Sequence, residues 1–207
     1  MQYNLIKTRL GTNFSELAAQ LRLHGAASLS LLPSHQRLAL LKEAKEHTFC
    51  KGRSSIGSGD KIVCQGLSYC DNLLKSGSLR RLVREVQSYL EQEFRATISY
   101  PFQTPLRLHE PMLQFYSSGS IGITPHLDQA SYINLVVIIV LGGGGQFYTC
   151  ADRKGKNIRN IPAGPGDMIL LRCPGFKGAQ QRVFHGVSDI TEARYSLGIR
   201  QNSSLYP

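Results

Sequence analysis

Residues 132–149 read YINLVVIIVLGGGGQFYT, and this stretch decides the fold. Its first nine residues are dominated by β-branched and aromatic side chains, which suit a pleated, half-buried surface. Glycines 142–145 then break the pattern, and a second β-type run follows at 146–149. A phosphate-cradling loop would need a helix start and a Lys-Ser/Thr after the glycines, and here a strand-like segment follows instead.

Working outward, the same short β pattern recurs at residues 106–108, 112–116, 168–172, 182–187 and 194–200, with turn signals such as Pro165-Gly166-Asp167 between the runs. Several strands without intervening helices favour a sandwich or jelly roll over a βαβ fold. Upstream the period changes from two to three and four. Asn13, with Glu16 three positions on, predicts a helix that ends near Gly25. A second helix is predicted over 34–47, with Leu38, Leu40, Leu41 and Ala44 as its apolar stripe. A third starts after Ser78 and places Leu79, Leu82, Val83, Val86, Leu90 and Phe94 on one face, leaving Arg80, Arg81 and Arg84 on the solvated side. Between these two helices, residues 51–60 (KGRSSIGSGD) read as an exposed loop at the border of a site. The expectation is an α+β chain forming one catalytic domain over 1–207, with 1–104 as mainly helical support and 105–204 as the jelly-roll core.

Composition narrows the function classes. A hydrophobic fraction of 42% with 18% charged residues is that of a globular protein. Five cysteines, without a C-x-x-C, indicate neither a disulfide framework nor a zinc ribbon. Residues 1–7 lack the organisation of a signal peptide, and the longest apolar run, residues 136–141, is too short to span a bilayer, so the expectation is a cytoplasmic protein with no membrane partner. Twenty-four Lys and Arg against fourteen Asp and Glu give a formal charge of +10, which attracts anionic small molecules, surfaces or nucleic acid without choosing among them.

His126-Leu127-Asp128 puts an imidazole and a carboxylate two positions apart, the spacing that turns both side chains to one side of an extended segment. His185, in the strand-like RVFHGV, supplies a second imidazole. Two histidines and one carboxylate form a facial triad, which suits Fe(II) because three adjacent coordination positions stay open. Zinc also accepts such a set, but zinc hydrolysis needs no dedicated arginine. Here Arg194-Tyr195-Ser196 follows, with the guanidinium and the hydroxyl on one face of a strand, a fork suited to a carboxylate. The other four histidines, 24, 35, 47 and 109, lie on predicted helices or before a Glu-Pro turn and read as structural or solvent-facing. The basic residues Arg153, Lys154 and Lys156, with Arg159, form a solvated hairpin or line the mouth of the site.

H-x-D, a distant H and then R-x-S closely resemble the Fe(II)/2-oxoglutarate-dependent dioxygenase superfamily. The resemblance covers roughly residues 112–201 and is strongest over QFYSSGSIGITPHLD (114–128) and HGVSDITEARYSLGIR (185–200). It implies a double-stranded β-helix, with iron held by His126, Asp128 and His185 and the distal carboxylate of 2-oxoglutarate held by Arg194 and Ser196. Tyr116 matches a tyrosine that often precedes the H-x-D in this superfamily, and its phenol would donate to the cosubstrate. Arg200 completes R-x-S-x-x-x-R, similar to the R-x-N-x-x-x-R ending of AlkB-type nucleic-acid demethylases, although Ser196 and Gln114 depart from that pattern. The HGV and RYSL segments are similar to the endings of prolyl-hydroxylase-like enzymes. The implied activity is hydroxylation of a C–H bond in a small molecule, amino acid or peptide, anionic partners included, using O₂ and releasing succinate and CO₂. Oxidative demethylation of nucleic acid is the second reading, and a non-catalytic cupin-like binding module is the third.

Overall fold

The computed structural model describes residues 5–6 and 12–205, so most of the N-terminal stretch used for the localisation reading lies outside the described residues. Among the described residues three α-helices accompany thirteen strands. In chain order these are α1 (Phe14–His24), β1 (Ala26–Ser30), α2 (Ser34–Lys45), β2 (Cys50–Lys51), β3 (Ser55–Ile56), β4 (Val63–Cys64), β5 (Leu67–Cys70), α3 (Ser78–Arg95), β6 (Glu110–Tyr116), β7 (Ile123–His126), β8 (Tyr132–Gly142), β9 (Gln146–Cys150), β10 (Arg159–Ile161), β11 (Asp167–Arg172), β12 (Phe184–Ser188) and β13 (Arg194–Asn202).

The helices form where the patterning places them. Asn13 caps α1 by accepting from the amides of Ser15 and Glu16, and Gly25 closes the helix in the left-handed conformation. All six apolar residues read on α3 are buried. Leu40 and Ala44 of α2 are buried as expected, but Leu38 is 53% exposed and does not belong to the stripe. No side chain of its own caps α3. Instead the Glu43 carboxylate, from α2, accepts from the amides of Ser78 and Leu79, which satisfies orphan donors and places a negative charge at the positive end of the helix.

The strands build a large antiparallel sheet in the order β1-β11-β8-β13-β6-β5-β2 and a smaller one in the order β10-β9-β12-β7, with β3-β4 as a separate hairpin. Alternation along β8 and β13 sorts their side chains. Leu135, Val137, Ile139, Leu141, Leu197 and Ile199 pack with the helices on one face of the large sheet, while Val136 and Val140 join Tyr116, Ile169, Phe147, Ile161 and Val187 between the two sheets. The helices therefore buttress the large sheet from outside, and the space between the sheets is left for a site.

Three readings change. Residues 26–30 and 67–70 are strands of the large sheet, so the first hundred residues contribute sheet as well as helix. Residues 106–108 form no ladder. Their amides are taken by side chains, with Leu106 donating to Glu91 and Tyr100, Arg107 to Gln201 and Leu108 to Gln87, which explains how a strand-like run is buried without a strand partner. Residues 51–60 carry parts of two short strands, and the β3-β4 hairpin leans on β7 through the Cys64 amide, which donates to Thr124 Oγ1 at 3.0 Å. The contact with the strand carrying His126 is made by β4, outside residues 51–60, which adjoin it through the pairing of β3 with β4.

Candidate metal centre and acid clamp

His126 ends β7, an edge strand that tolerates Pro125, and pairs directly across from His185 on β12. Strand β9 flanks β12 on the other side, where Phe147 stacks on the His185 ring with centroids 5.6 Å apart. The close approach of β7 and β12 depends on Gly122, which has φ 75° and packs against the Val187 carbonyl where the register shifts. A side chain there would meet backbone on both counts. Gly122→Val is expected to cost roughly 2–4 kcal/mol of stability and to weaken metal binding with it, measured by thermal unfolding and by metal titration.

His126, Asp128 and His185 offer ligand atoms that all lie within 4.8 Å of one another. Each histidine is oriented by a short-range contact of Nδ1 with a backbone carbonyl two residues earlier, Thr124 for His126 and Val183 for His185, both at 3.0 Å. These contacts leave Nε2 of both rings free, the arrangement that fixes tautomer and direction in metal-binding histidines. Asp128 Oδ2 is buried without a hydrogen-bond partner and lies 3.7 Å from His185 Nε2, too far for a hydrogen bond. A buried carboxylate oxygen without a donor is costly unless a cation completes it. The donor set therefore fits a divalent transition metal.

Burial, followed by the field of His185, lowers the pKa of His126 from 6.5 to about 4, against the opposing pull of Asp128. The ring is thus neutral at pH 7, as a ligand must be. For the metal-free protein the sign follows from linkage. The unfolded histidine takes up a proton below about pH 6.5 whereas the folded one resists until about pH 4, so this residue's share of stability is present above 6.5 and is lost on acidification through that window. Unfolding midpoints of the metal-free protein are expected to fall between pH 6.5 and 4, and His126→Gln is expected to flatten that part of the profile.

The second half of the site lies on β6 and β13, where alternation turns Arg194, Ser196 and Arg200 of one strand and Gln114 and Tyr116 of the other toward the intersheet space, with Arg194 directly opposite Tyr116. Arg194 is 2% exposed. Its guanidinium makes one long contact, Nη1 to the Gly145 carbonyl at 3.3 Å, and no ion pair among the described residues. Gly145 itself leaves room for the Arg194 side chain, which gives the glycine run a role that its turn reading did not reveal. Desolvation lowers the Arg194 pKa, the mark of a cation held away from water. Ser196 Oγ donates to Gln114 Oε1 at 3.3 Å. Burial raises the Tyr116 phenol to about 12, with Arg194 and Arg200 pulling it down and Asp128 pushing it up, so this tyrosine senses both arginines and the triad.

Arg200 is also buried, lying over the Tyr132 ring at 5.5 Å and against the bare face of Gly198, with its Nε lacking a partner. Opposite it, the Glu110 carboxylate is engaged by the Tyr132 hydroxyl and the Asn202 amide. Phe147 and Tyr132 were not singled out from the sequence, since aromatic residues on strands carry no signal of their own, and Gln114 was noted only as a departure from the AlkB-type pattern. His109 contacts the Arg107 carbonyl and the Asn202 amide and lies outside the cluster.

The two-sheet jelly roll is similar to the double-stranded β-helix of solved structures that include 2-oxoglutarate- and Fe(II)-dependent oxygenases. The solved structures it resembles include a Trichoplax adhaerens prolyl hydroxylase in complex with a hypoxia-inducible-factor peptide fragment, at 14% identity and TM-score 0.66, over 92% of this chain and 89% of that one. It is also similar to an oxidoreductase of the 2OG-Fe(II) oxygenase family from Burkholderia pseudomallei, at 17% identity and TM-score 0.59 over 94% and 91%, and to OsALKBH1, at 18% and 0.55 over 86% and 98%. No protein-family model and no curated protein matches the chain. Among the described residues no helix is long and apolar enough to cross a membrane.

Proposed function

We propose that this chain is, as one catalytic unit, an Fe(II)- and 2-oxoglutarate-dependent oxygenase that hydroxylates a C–H bond of a small molecule, amino acid or peptide. One observation carries the reading: Arg194, a guanidinium 2% exposed and unpaired with any carboxylate among the described residues, and Asp128, whose Oδ2 is buried without a partner, both act on the Tyr116 phenol that lies between the sheets. Burying a lone cation is unfavourable unless an anion joins it. A diacid held at one end by a metal and at the other by Arg194 satisfies both orphans.

In this reading His126, Asp128 and His185 hold the iron, and Arg194 grips the distal carboxylate through its planar fork. Ser196 and the Tyr116 hydroxyl flank that grip, and Arg200 adds a second positive charge to the intersheet space. When bound, iron and 2-oxoglutarate supply the oxidation, in which O₂ is consumed, one oxygen atom enters the substrate C–H bond, and the other leaves in succinate beside CO₂. The protein's own contribution is positioning and exclusion of water by Phe147, Val136, Ile169 and their neighbours. Peptide substrates are supported by the likeness to a prolyl hydroxylase solved with a peptide.

A nucleic-acid demethylase is the second reading, favoured by the +10 charge and the likeness to OsALKBH1. Strongly salt-dependent binding of an oligonucleotide would support it. The test of the first reading is succinate formation from 2-oxoglutarate across metabolite, peptide and oligonucleotide pools. The expected result is turnover requiring Fe(II) and O₂ together and stimulated by a peptide or metabolite pool. Succinate formation that persists without iron would overturn it, and none with any pool would overturn it in favour of a binding module.

A further inference from the structure

Outside the triad and the acid clamp, two arginines border the metal centre and neither is neutralised. Arg153 belongs to the turn between β9 and β10. This turn is braced internally, because Asp152 Oδ1 accepts from the amides of Lys154 and Lys156, and the Ala151 amide donates to the Lys156 carbonyl at 2.7 Å. The neighbouring acid is thereby committed to the loop backbone. Arg153 extends over the Phe184 ring at 5.6 Å, next to His185, and its charge reaches His126. Its Nη1 is buried without a hydrogen-bond partner. On the β11–β12 connection, Arg182 Nη1 donates to the backbone carbonyl of Asp128 at 2.8 Å. No ion pair of either arginine forms among the described residues.

Beside Phe184 opens a groove of about 410 Å³. Arg159, Arg172 and Arg182 line it with Thr149 and Cys150, and its lining contains no carboxylate. A groove with cations alone, beside a reaction centre and next to a guanidinium whose Nη1 is buried without a partner, is complementary to an oxyanion. A plain solvated hairpin would instead leave Arg153 facing water, whereas its Nη1 is buried and unpartnered.

Resting on the oxygenase reading for the position of the chemistry, we propose that the substrate is a small molecule bearing a carboxylate or phosphate. Arg153 receives this oxyanion, with the arginines of the adjoining groove adding to the attraction, while the C–H bond to be hydroxylated lies past Phe184 at the triad. Arg153 is in this sense a specificity-determining residue, separate from the group that holds 2-oxoglutarate.

The test is calorimetric titration of the full chain, loaded with Mn(II) and 2-oxoglutarate, with two charged probes and their neutral counterparts: glycerol 3-phosphate against glycerol, and N-acetylglycine against N-acetylglycinamide. The first pair reports a phosphate, the second a carboxylate. At least one charged probe is expected to bind ten-fold or more tightly than its counterpart and to weaken as salt rises. Arg153→Gln is expected to remove that preference, with Arg153→Lys retaining part of it. Affinity for 2-oxoglutarate, measured on the same variants, separates the two ideas. If 2-oxoglutarate does not bind but the Arg153-dependent preference remains, the oxygenase reading fails and the anion site stands. If 2-oxoglutarate binds while charged and neutral probes behave alike, or Arg153→Gln binds the charged probe as the parent does, the anion site is overturned. An oligonucleotide that binds tightly where neither small anion does would also overturn it, in favour of nucleic acid.

Discussion

Replacing Arg194 with methionine is expected to raise the unfolding temperature of the metal-free, ligand-free protein while lowering its affinity for 2-oxoglutarate by two to three orders of magnitude. The two effects have one cause. In the free protein the guanidinium is buried with a single 3.3 Å contact to a carbonyl and no counter-charge among the described residues, so an apolar side chain of similar length relieves a desolvation cost. Comparable replacements of buried charges gain about 1–4 kcal/mol. With the diacid present, the same change leaves its distal carboxylate buried and unpaired, a loss of about 3–4 kcal/mol, or roughly 10²–10³ in Kd. Arg194→Lys is expected to recover only part of the affinity, because an ammonium cannot make the two parallel bonds. Thermal unfolding with and without 2-oxoglutarate reads both halves. A methionine variant that is destabilised when free and still stabilised by 2-oxoglutarate would show that Arg194 is a structural residue.

The second large effect concerns the triad. His126→Ala, Asp128→Ala and His185→Ala are each expected to reduce Fe(II)-dependent succinate formation by roughly 10³-fold or more, and not additively when combined, since the three act as one unit. Metal affinity is expected to fall by more than the roughly 10–100-fold typical of losing a residue that only orients a ligand. Asp128→Asn is the sharper variant. It keeps the shape but removes the charge that the unpartnered Oδ2 would bring to an ion. Iron binding and turnover at parent levels in Asp128→Asn would place the metal elsewhere.

These expectations rest on features of unequal visibility. The N-cap of α1 and the apolar face of α3 were legible because each is local, a matter of residues three and four apart. Pairs two positions apart were legible for the same reason: His126 with Asp128, and Arg194 with Ser196. The start of α3 looked equally local at Ser78, yet its amides are capped by Glu43 from another helix. The strands at 26–30 and 67–70 went unread because they are short and hold no β-branched residue, and only pairing with β11 and β6 makes them sheet.

By itself, then, the amino-acid sequence determined the alternation that turns Arg194, Ser196 and Arg200 to one face, the helical stripes and the identities of the chemical groups, because periodicity is a property of neighbouring residues. Only the tertiary structure decided that His185 lies directly across from His126, that Asp128 Oδ2 and Arg194 are buried without a counter-charge, and that Arg153 lies over the Phe184 ring with its Nη1 unpartnered. Register between distant strands and the removal of a charge from water arise when the two sheets close on each other, and no stretch of chain encodes either alone.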